Sequence, residues 1–372
     1  MATAINGKWG SYNQTVGVPV DMDEAIILLS PSDVPFQSWM SSTPTDQIKV
    51  EWLEEELTAQ TCAIASLTGT GPYTVTLVTT DFAAPTDLFR VGDILHIKDA
   101  AAAVQYTVTS VTSGTVFVLT DFAGNTTDPV AADVLEIIGQ YLVEGGDPLE
   151  ARGVERSTKF NYTQIMQERV EATRTARQRR LYGQGDPYDH ELAKKFKEIG
   201  IRTEKAMVHG QRAISGDLKQ RFMGGALYYI TTNTESVAKA ASKAGINALL
   251  RKCYDQGGSP DVLMVSPSVK AAISDNIDPT LRRWNMTDTT GGSVVDRLLT
   301  DFGEIEIEMN RFFPKTKGIA LQRGLLERRV MQGYMHEMLA KTGDSDRGEI
   351  IAEHTLQVKN EKWMGVLTIT DA

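Results

Sequence analysis

The sequence predicts an α+β chain of 372 residues in which a small all-β module interrupts a mixed, charged polypeptide. Three patterns carry that reading. Between Cys62 and Tyr141 the chain is mostly Thr, Val, Ala, Gly and Asp, with Arg90 and Lys98 as its only Lys or Arg, and short alternating runs follow one another. After Asp186, residues Leu192, Phe196, Ile199, Thr203 and Ala206 recur at spacings of four and three, the stripe of one long helix. From Met223 onward, strand-sized apolar runs alternate with amphipathic helical ones. The length exceeds what a single core usually holds, so two or three domains are expected.

Charge narrows the function classes. The 38 Lys+Arg against 48 Asp+Glu leave a net charge of −10 and a pI near 5.2, which opposes general adhesion to DNA or anionic membranes. Mean hydropathy is −0.22, and no apolar run approaches the roughly 20 residues that cross a bilayer. The opening MATAINGKWGSYNQ lacks the pattern of a secretory signal. Cys62 and Cys253 lie far apart without a C-x-x-C partner, so two reduced, buried thiols are expected.

Element by element, residues 1–45 are broken by Gly7, Gly10, Gly17, Pro19, Pro31, Pro35 and Pro44. One short helix, 21–30, is expected, capped by Asp21. Such a terminus frays unless something outside its own domain holds it. In 46–57, Ile48, Val50 and Trp52 alternate with Lys49 and Glu51 as a strand. The β module offers strands at 73–78, 93–97, 105–111, 115–120 and 133–138. It also echoes itself at an offset of forty: Thr80-Asp81-Phe82-Ala83 returns at 120–123, and Asp93-Ile94-Leu95 is answered by Asp133-Val134-Leu135. Two equal offsets suggest paired β units closing one barrel.

Residues 154–165 read as strand running into helix, and an Arg-rich helix is expected over 163–182. Asp186 and Pro187 then open the spine helix, 187–214, about 40 Å long. Next come a helix at 236–258, strands at 261–267, 303–310 and 317–322, and a helix at 267–277. The last fifty residues are mostly β, with 349–358 and 362–370 expected to face each other as a hairpin.

Marks of catalysis are few. His336-Glu337 begins H-E-x-x-H, but Ala340 stands where the second histidine belongs. No G-x-S-x-G, P-loop or G-x-G-x-x-G occurs, and the histidines at 96, 190, 209, 336 and 354 do not fall at ligand spacing. Glu304, Glu306 and Glu308 share one strand face and could bind a cation, though a face met by Lys or Arg is the favoured reading. The segment 339–349 has calcium-loop composition without calcium-loop order, so a charged hairpin turn is expected. No cofactor or metal site is expected.

Arg174, Arg177, Arg179 and Arg180 are the densest cations. At the end of a helix they would relieve its dipole, and some are expected to meet acids of a neighbouring chain such as Glu54, Glu55 and Glu56. A nucleic-acid patch would want interleaved aromatics in a basic domain, which Tyr182 alone does not supply.

Order and motifs together resemble the major capsid proteins of tailed bacteriophages, of the Hong Kong 97-like fold also used by encapsulin shells. The resemblance rests on PFQSWM (35–40), KVEWLEEEL (49–57), NYTQIMQERVEATRTARQ (161–178), MGGALYYI (223–230) and LAKTGDSDRGEIIAEHTLQVKNEKW (339–363), in that order. It implies an N-terminal arm (1–45), an E-loop (46–165) carrying a β insertion at 62–141, a P-domain (166–221 and 335–372) and an A-domain (222–334). It implies no catalytic residues. The expected function is a shell of hexamers and pentamers in a virion, assembled in the host bacterial cytoplasm. Packaged DNA would be enclosed cargo; portal, scaffolding or decoration proteins are candidate partners, and no membrane is. Trp39 joins the glutamates and arginines above as an expected inter-subunit contact. An encapsulin-like compartment and a nucleic-acid-binding protein using helix 163–182 are the alternatives.

Overall fold

A computed structural model of the chain describes residues 33–78, 88–98, 104–121, 128–147, 149, 153–179, 185–217, 219–238, 243–276 and 297–370. The helix expected at 21–30, the echo segment at 80–83 and Arg180 lie outside these residues. The chain forms two units, one drawn from residues up to Trp52 and from Lys159 onward, the other from Leu53–Thr158.

The first unit opens with α1 (Pro35–Trp39), where Pro35 occupies a first-turn position that needs no N–H. β1 (Ser41–Pro44) and β2 (Lys49–Glu54) follow, and Val50 and Trp52 bury one face of β2 as their alternation predicts.

Six strands make the second unit: β3 (Thr61–Thr68), β4 (Tyr73–Leu77), β5 (Asp93–Ile97), β6 (Gln105–Ser113), β7 (Val116–Asp121) and β8 (Val134–Gln140). They close a barrel in the order β3-β4-β7-β6-β5-β8, which removes the exposed edges an open sheet would leave. Inward residues alternate, as with Tyr73, Val75 and Leu77 on β4 or Phe117 and Leu119 on β7. Periodicity predicted five of the six; β3 escapes because its residues are small and a bulge between Ile64 and Ser66 breaks its alternation.

The forty-residue echo is built into this ring. Exchanging β3, β4 and β5 for β6, β7 and β8 returns the same set of neighbours, so the strand order has a pseudo-two-fold. The entry turns match atom for atom. Arg90 and Val130 N–H each donate to Oδ2 of an aspartate three residues on, Asp93 and Asp133, at 2.8 Å. The aspartate N–H groups return to the carbonyls of Arg90 and Val130 at 3.0 and 3.2 Å. The third residue of each turn is left-handed: Gly92 at φ +93° and Ala132 at φ 76°.

The chain returns to the first unit through β9 (Ser157–Tyr162), the partner of β2, and β10 (Gln164–Thr173). Here the sequence expectation fails. The helix predicted over 163–182 is a strand followed by only five helical residues, α2 (Arg174–Gln178), capped by Thr173 Oγ1 accepting from Ala176 N–H at 3.2 Å. Met166 and Val170 point inward while Ile165, Gln167, Arg169 and Glu171 point out, a period of two. Ile165 and Thr173 are exposed and Val170 is buried, so the apolar face that a helix would give Ile165, Val170, Thr173 and Ala176 does not form.

The spine helix α3 (Pro187–His209) starts as predicted, with Asp186 accepting from Tyr188 N–H at 2.9 Å. Its 23 residues span about 35 Å. It ends before Ile214 where Gly210 packs against the irregular segment 223–225: Gly225 N–H donates to its carbonyl at 2.8 Å, and a Cβ there would collide with the Met223 carbonyl. β11 (Ala213–Ile214), β12 (Arg221–Phe222) and α4 (Ala226–Tyr229) follow.

Then come β13 (Thr234–Ala238), α5 (Lys243–Asp255), β14 (Val262–Val265), α6 (Pro267–Asn276), β15 (Arg297–Thr300), β16 (Gly303–Met309) and β17 (Lys317–Leu321). β18 (Leu326–Leu339) and β19 (Ser345–Val358) form a hairpin across the charged turn expected there, and β20 (Gly365–Thr370) is last. β10 runs antiparallel to β19 from Gln164↔His354 to Thr173↔Ser345, in the sheet β1-β18-β19-β10. That ladder, made to a partner far along the chain, decides β10 against helix.

Two further expectations are corrected. Of the helix predicted at 236–258, residues 236–238 are strand instead, because Thr234–Ala238 pairs in parallel with Val366–Thr370, while Lys243–Asp255 is helical. The terminal hairpin does not form either. Asn360, left-handed at φ 46°, and a 3-10 turn at Glu361–Trp363 send β20 away from β19. It joins instead the six-stranded sheet β13-β20-β17-β14-β16-β15. One core packs α1 and α3 onto the four-stranded sheet through Phe36, Met207 and Leu356; another packs α5 and α6 onto the six-stranded sheet through Leu249, Ile273 and Leu263.

The matched turns predict opposite responses. Gly92→Ala adds a left-handed side chain facing the Tyr141 carbonyl at 3.2 Å and should cost about 1–2 kcal/mol. Ala132→Gly should be neutral or gain up to about 1 kcal/mol, since relief of strain outweighs the added freedom of the unfolded chain. Hydrogen exchange at barrel amides measures both; equal losses at the two sites would contradict the equivalence of the turns.

Candidate inter-subunit surfaces

Helix α1 is held by one buried carboxylate. Val34 supplies no side-chain cap to α1, so the helix takes its cap from the spine. Glu204 accepts Phe36 N–H at 2.8 Å on Oε1 and Gln37 N–H at 3.0 Å on Oε2. Asn310 Nδ2 adds a third donor at 2.6 Å. Burial pushes the Glu204 carboxyl above the usual range, against the pull of these donors. Gln37 Nε2 donates to the Gly200 carbonyl at 2.7 Å, and Tyr334 OH bridges Gln37 and Thr203, each at 3.0 Å. Nothing in the spacing of the sequence marks Glu204, because charged Glu198 and Lys205 share its helix.

A second polar knot binds segments that the sequence resemblance singled out separately. Asn161 is fully buried and bonded on both sides of its amide: Nδ2 donates to the carbonyls of Gly224 (2.9 Å) and Leu356 (2.6 Å), and Oδ1 accepts from Tyr162 and Gly224 N–H. Beside it, Glu353 accepts from Arg221 at 2.8 Å and from the Thr163 hydroxyl. Phe160 lies between two cations, Lys49 at 4.3 Å and Arg212 at 3.9 Å from its ring centre.

The expected inter-subunit residues have the following surroundings within their own units. Trp39 packs against the α1–α3 core, with the Arg323 guanidinium 6.0 Å from its ring. Glu54 ends β2, Glu55 pairs with Arg156 at 3.1 Å, and Glu56 is exposed. Arg174 pairs with Asp344 at 2.9 Å. Arg177 is bonded to both Asp186 and Asp346, which together tie α2 to the start of α3 and to β19. These acids hold its guanidinium proton more tightly than usual; Arg177 in turn holds the Asp186 carboxyl below its usual range, and Lys341, then Arg177, do the same for Asp346. Arg179 is exposed at the end of α2. Without a long helix here, dipole relief explains little; ion pairs within the chain account for Arg174 and Arg177.

Other marked residues find structural partners. His336 sits 2.8 Å from the Tyr188 hydroxyl, Glu304 pairs with Arg297 at 3.5 Å, and Glu306 with Arg323 at 3.1 Å. Among the described residues, no three His, Cys, Asp or Glu side chains gather to hold a metal. Cys62 and Cys253 are buried thiols not joined to each other, and burial pushes the Cys253 thiol up to about 11.

An open groove of about 450 Å³ lies between β10 and α3. Ile165, Met166, Ile199, Ala206 and Phe222 give it apolar walls, and Arg202, Lys205 and His209 stand along the helical side. Ile165 and Phe222 are exposed there despite their size.

Two substitutions test the polar core. Glu204→Ala strands two backbone N–H groups and the Asn310 amide, and should cost about 3 kcal/mol in urea unfolding. His354 is buried with neither ring nitrogen partnered among the described residues; burial, then the nearby Arg328, lower its pKa from 6.5 to about 4. Between those values the unfolded chain takes up a proton that the fold refuses, so stability falls as pH falls through this window, by about 3 kcal/mol in total. His354→Phe should flatten that part of the stability–pH curve; an unchanged slope would reject the assignment. Glu204 acts in the opposite sense, its raised carboxyl lowering stability as pH rises above the ordinary carboxylate range.

No curated protein matches the chain in sequence. In structure it is similar to a chain of Mycobacterium phage Adephagia, 10% identical over 98% of this chain and 99% of that one, with a TM-score of 0.54. A chain of Microbacterium phage Oxtober96 is 11% identical over 95% and 96%, at 0.52. The capsid of an empty GTA particle is 9% identical over 97% and 99%, at 0.51. These likenesses give the fold as Hong Kong 97-like. The model of the SU10 major capsid protein family matches residues 5–371, and the chain therefore belongs to that family, as a structural subunit of a capsid shell.

Proposed function

We propose that the protein assembles as hexamers and pentamers of an icosahedral head, in the cytoplasm of a bacterial host, around double-stranded DNA held as cargo. The family match over residues 5–371 carries this reading. The structure supports it in three ways. Residues 33–44 are built into the first unit by Glu204 and by β1, so the chain before them starts from a fixed anchor. The barrel is inserted through the paired strands β2 and β9. The acidic balance of the chain, −10, favours a lumen that repels packaged nucleic acid and leaves it releasable. The subunit is not an enzyme on this reading; its polar clusters are occupied in holding segments together. Portal, scaffolding and decoration proteins are its further candidate partners.

Electron microscopy of the expressed chain tests the proposal, with closed particles expected and DNA as the cargo in infected cells. Deleting residues 1–32 should leave a folded subunit with a near-normal Tm that fails to close shells. Deleting 1–40 should also lower the Tm, because it removes Phe36 and leaves Glu204 buried without its two backbone donors. Normal particles from the shorter deletion would overturn the role given to the arm.

A further inference from the structure

The face of the β18–β19 ladder that carries Leu356 into the α1–α3 core also carries two polar side chains whose donors lack an acceptor. His354 is 1% exposed, and neither ring nitrogen is hydrogen-bonded among the described residues. Arg328 is half-buried, with its Nε enclosed and without a partner among them. The register sets Arg328 opposite Leu356 and Val330 opposite His354, so Arg328 and His354 are diagonal neighbours on one face. We propose that these two residues bind a small monovalent anion of the halide class between them.

Charge is the first argument. A guanidinium stays protonated, so one drawn partly out of water needs a negative partner. The acids near it in the sheet and core are committed elsewhere. Glu327 pairs with Arg329 at 3.1 Å and Lys359 at 2.5 Å, and Glu353 pairs with Arg221 at 2.8 Å. Glu204 is taken up by Phe36, Gln37 and Asn310. Chemistry is the second. The Arg328 Nε–H only donates and a neutral imidazole offers one N–H, so what the two can share is an acceptor. A water would satisfy those bonds and leave the charge unanswered; an anion does both. Local geometry is the third. β18 leaves regular pairing between Val330 and Gln332 and again between Gln332 and Met335, just beyond the residue that faces His354. Tyr334, carried by that irregular stretch, stands with its ring centre 5.0 Å from that of His354. Burial, then the charge of Arg328, keeps the imidazole neutral, so the guanidinium is close to the ring. The Tyr334 hydroxyl is bonded to Gln37 and Thr203, so an anion at this place braces the contact between α1 and the spine.

The wild-type full chain, dialysed into sodium gluconate at neutral pH and titrated with sodium chloride at constant ionic strength, tests the site. The Tm should rise and saturate, by about 2 °C at a tenfold excess of chloride over its Kd. The NMR line of free chloride should broaden in the presence of the folded chain and sharpen when bromide competes. Arg328→Gln and, separately, His354→Phe should each abolish the rise in Tm. Hydrogen exchange on the wild type locates the effect should either variant fail to fold: amides of 328–330 and 353–356 are expected to slow in chloride. A Tm and a chloride line indifferent to the anion overturn the proposal and leave an internal water as the shared acceptor. A response unchanged in both variants, or slowed exchange confined to other strands, overturns it too, by placing the anion elsewhere.

Discussion

The first unit is organised around a single buried carboxylate. Glu204 leaves the middle of the spine helix and ends among donors from a helix 168 residues earlier and a loop 106 residues later. A carboxylate in such a place is costly unless every lone pair is engaged, so the arrangement is stable only when α1, α3 and the Asn310 turn are all in place. That requirement makes α1 part of the core rather than an appendage. It also explains why a five-residue helix without a cap of its own is stable at all.

Much of the fold was legible because local pattern and final environment agreed. Asp186 and Pro187 announced the spine, Val50 and Trp52 announced β2, and the forty-residue echo announced a barrel made of matching halves. The failures share one cause. At 163–173 and 234–238 the local sequence tolerates more than one conformation, and at 365–370 a strand more than one partner, and pairing far along the chain chooses among them. The ladder from β10 to β19 is invisible in any short window, as is the parallel pairing of β13 with β20.

The residues that hold segments together were legible as vocabulary but not as geometry. PFQSWM, NYTQ, MGGALYY and AEHTLQ stood out in order along the chain. The structure explains that selection: Phe36 and Gln37 meet the spine, while Asn161, Gly224 and Leu356 share one hydrogen-bonded knot. Glu204 and His354 escaped notice because burial, rather than spacing, gives each its chemistry. The arginine cluster misled for the opposite reason. Crowding on the sequence suggested a shared task, yet Arg174 and Arg177 answer to separate acids.

The way the barrel is spliced in has a consequence for how such chains diversify. Its two connections run side by side: Ser157 hydroxyl reaches the Glu54 carbonyl at 3.4 Å, and Arg156 reaches Glu55 at 3.1 Å. A guest fold whose own ends meet as closely can be exchanged at this seam without rethreading the host, because the ribbon that receives it is already paired. Lineages can therefore swap the ornament while keeping the brick, and a designer can graft an antigen or an enzyme at the same junction.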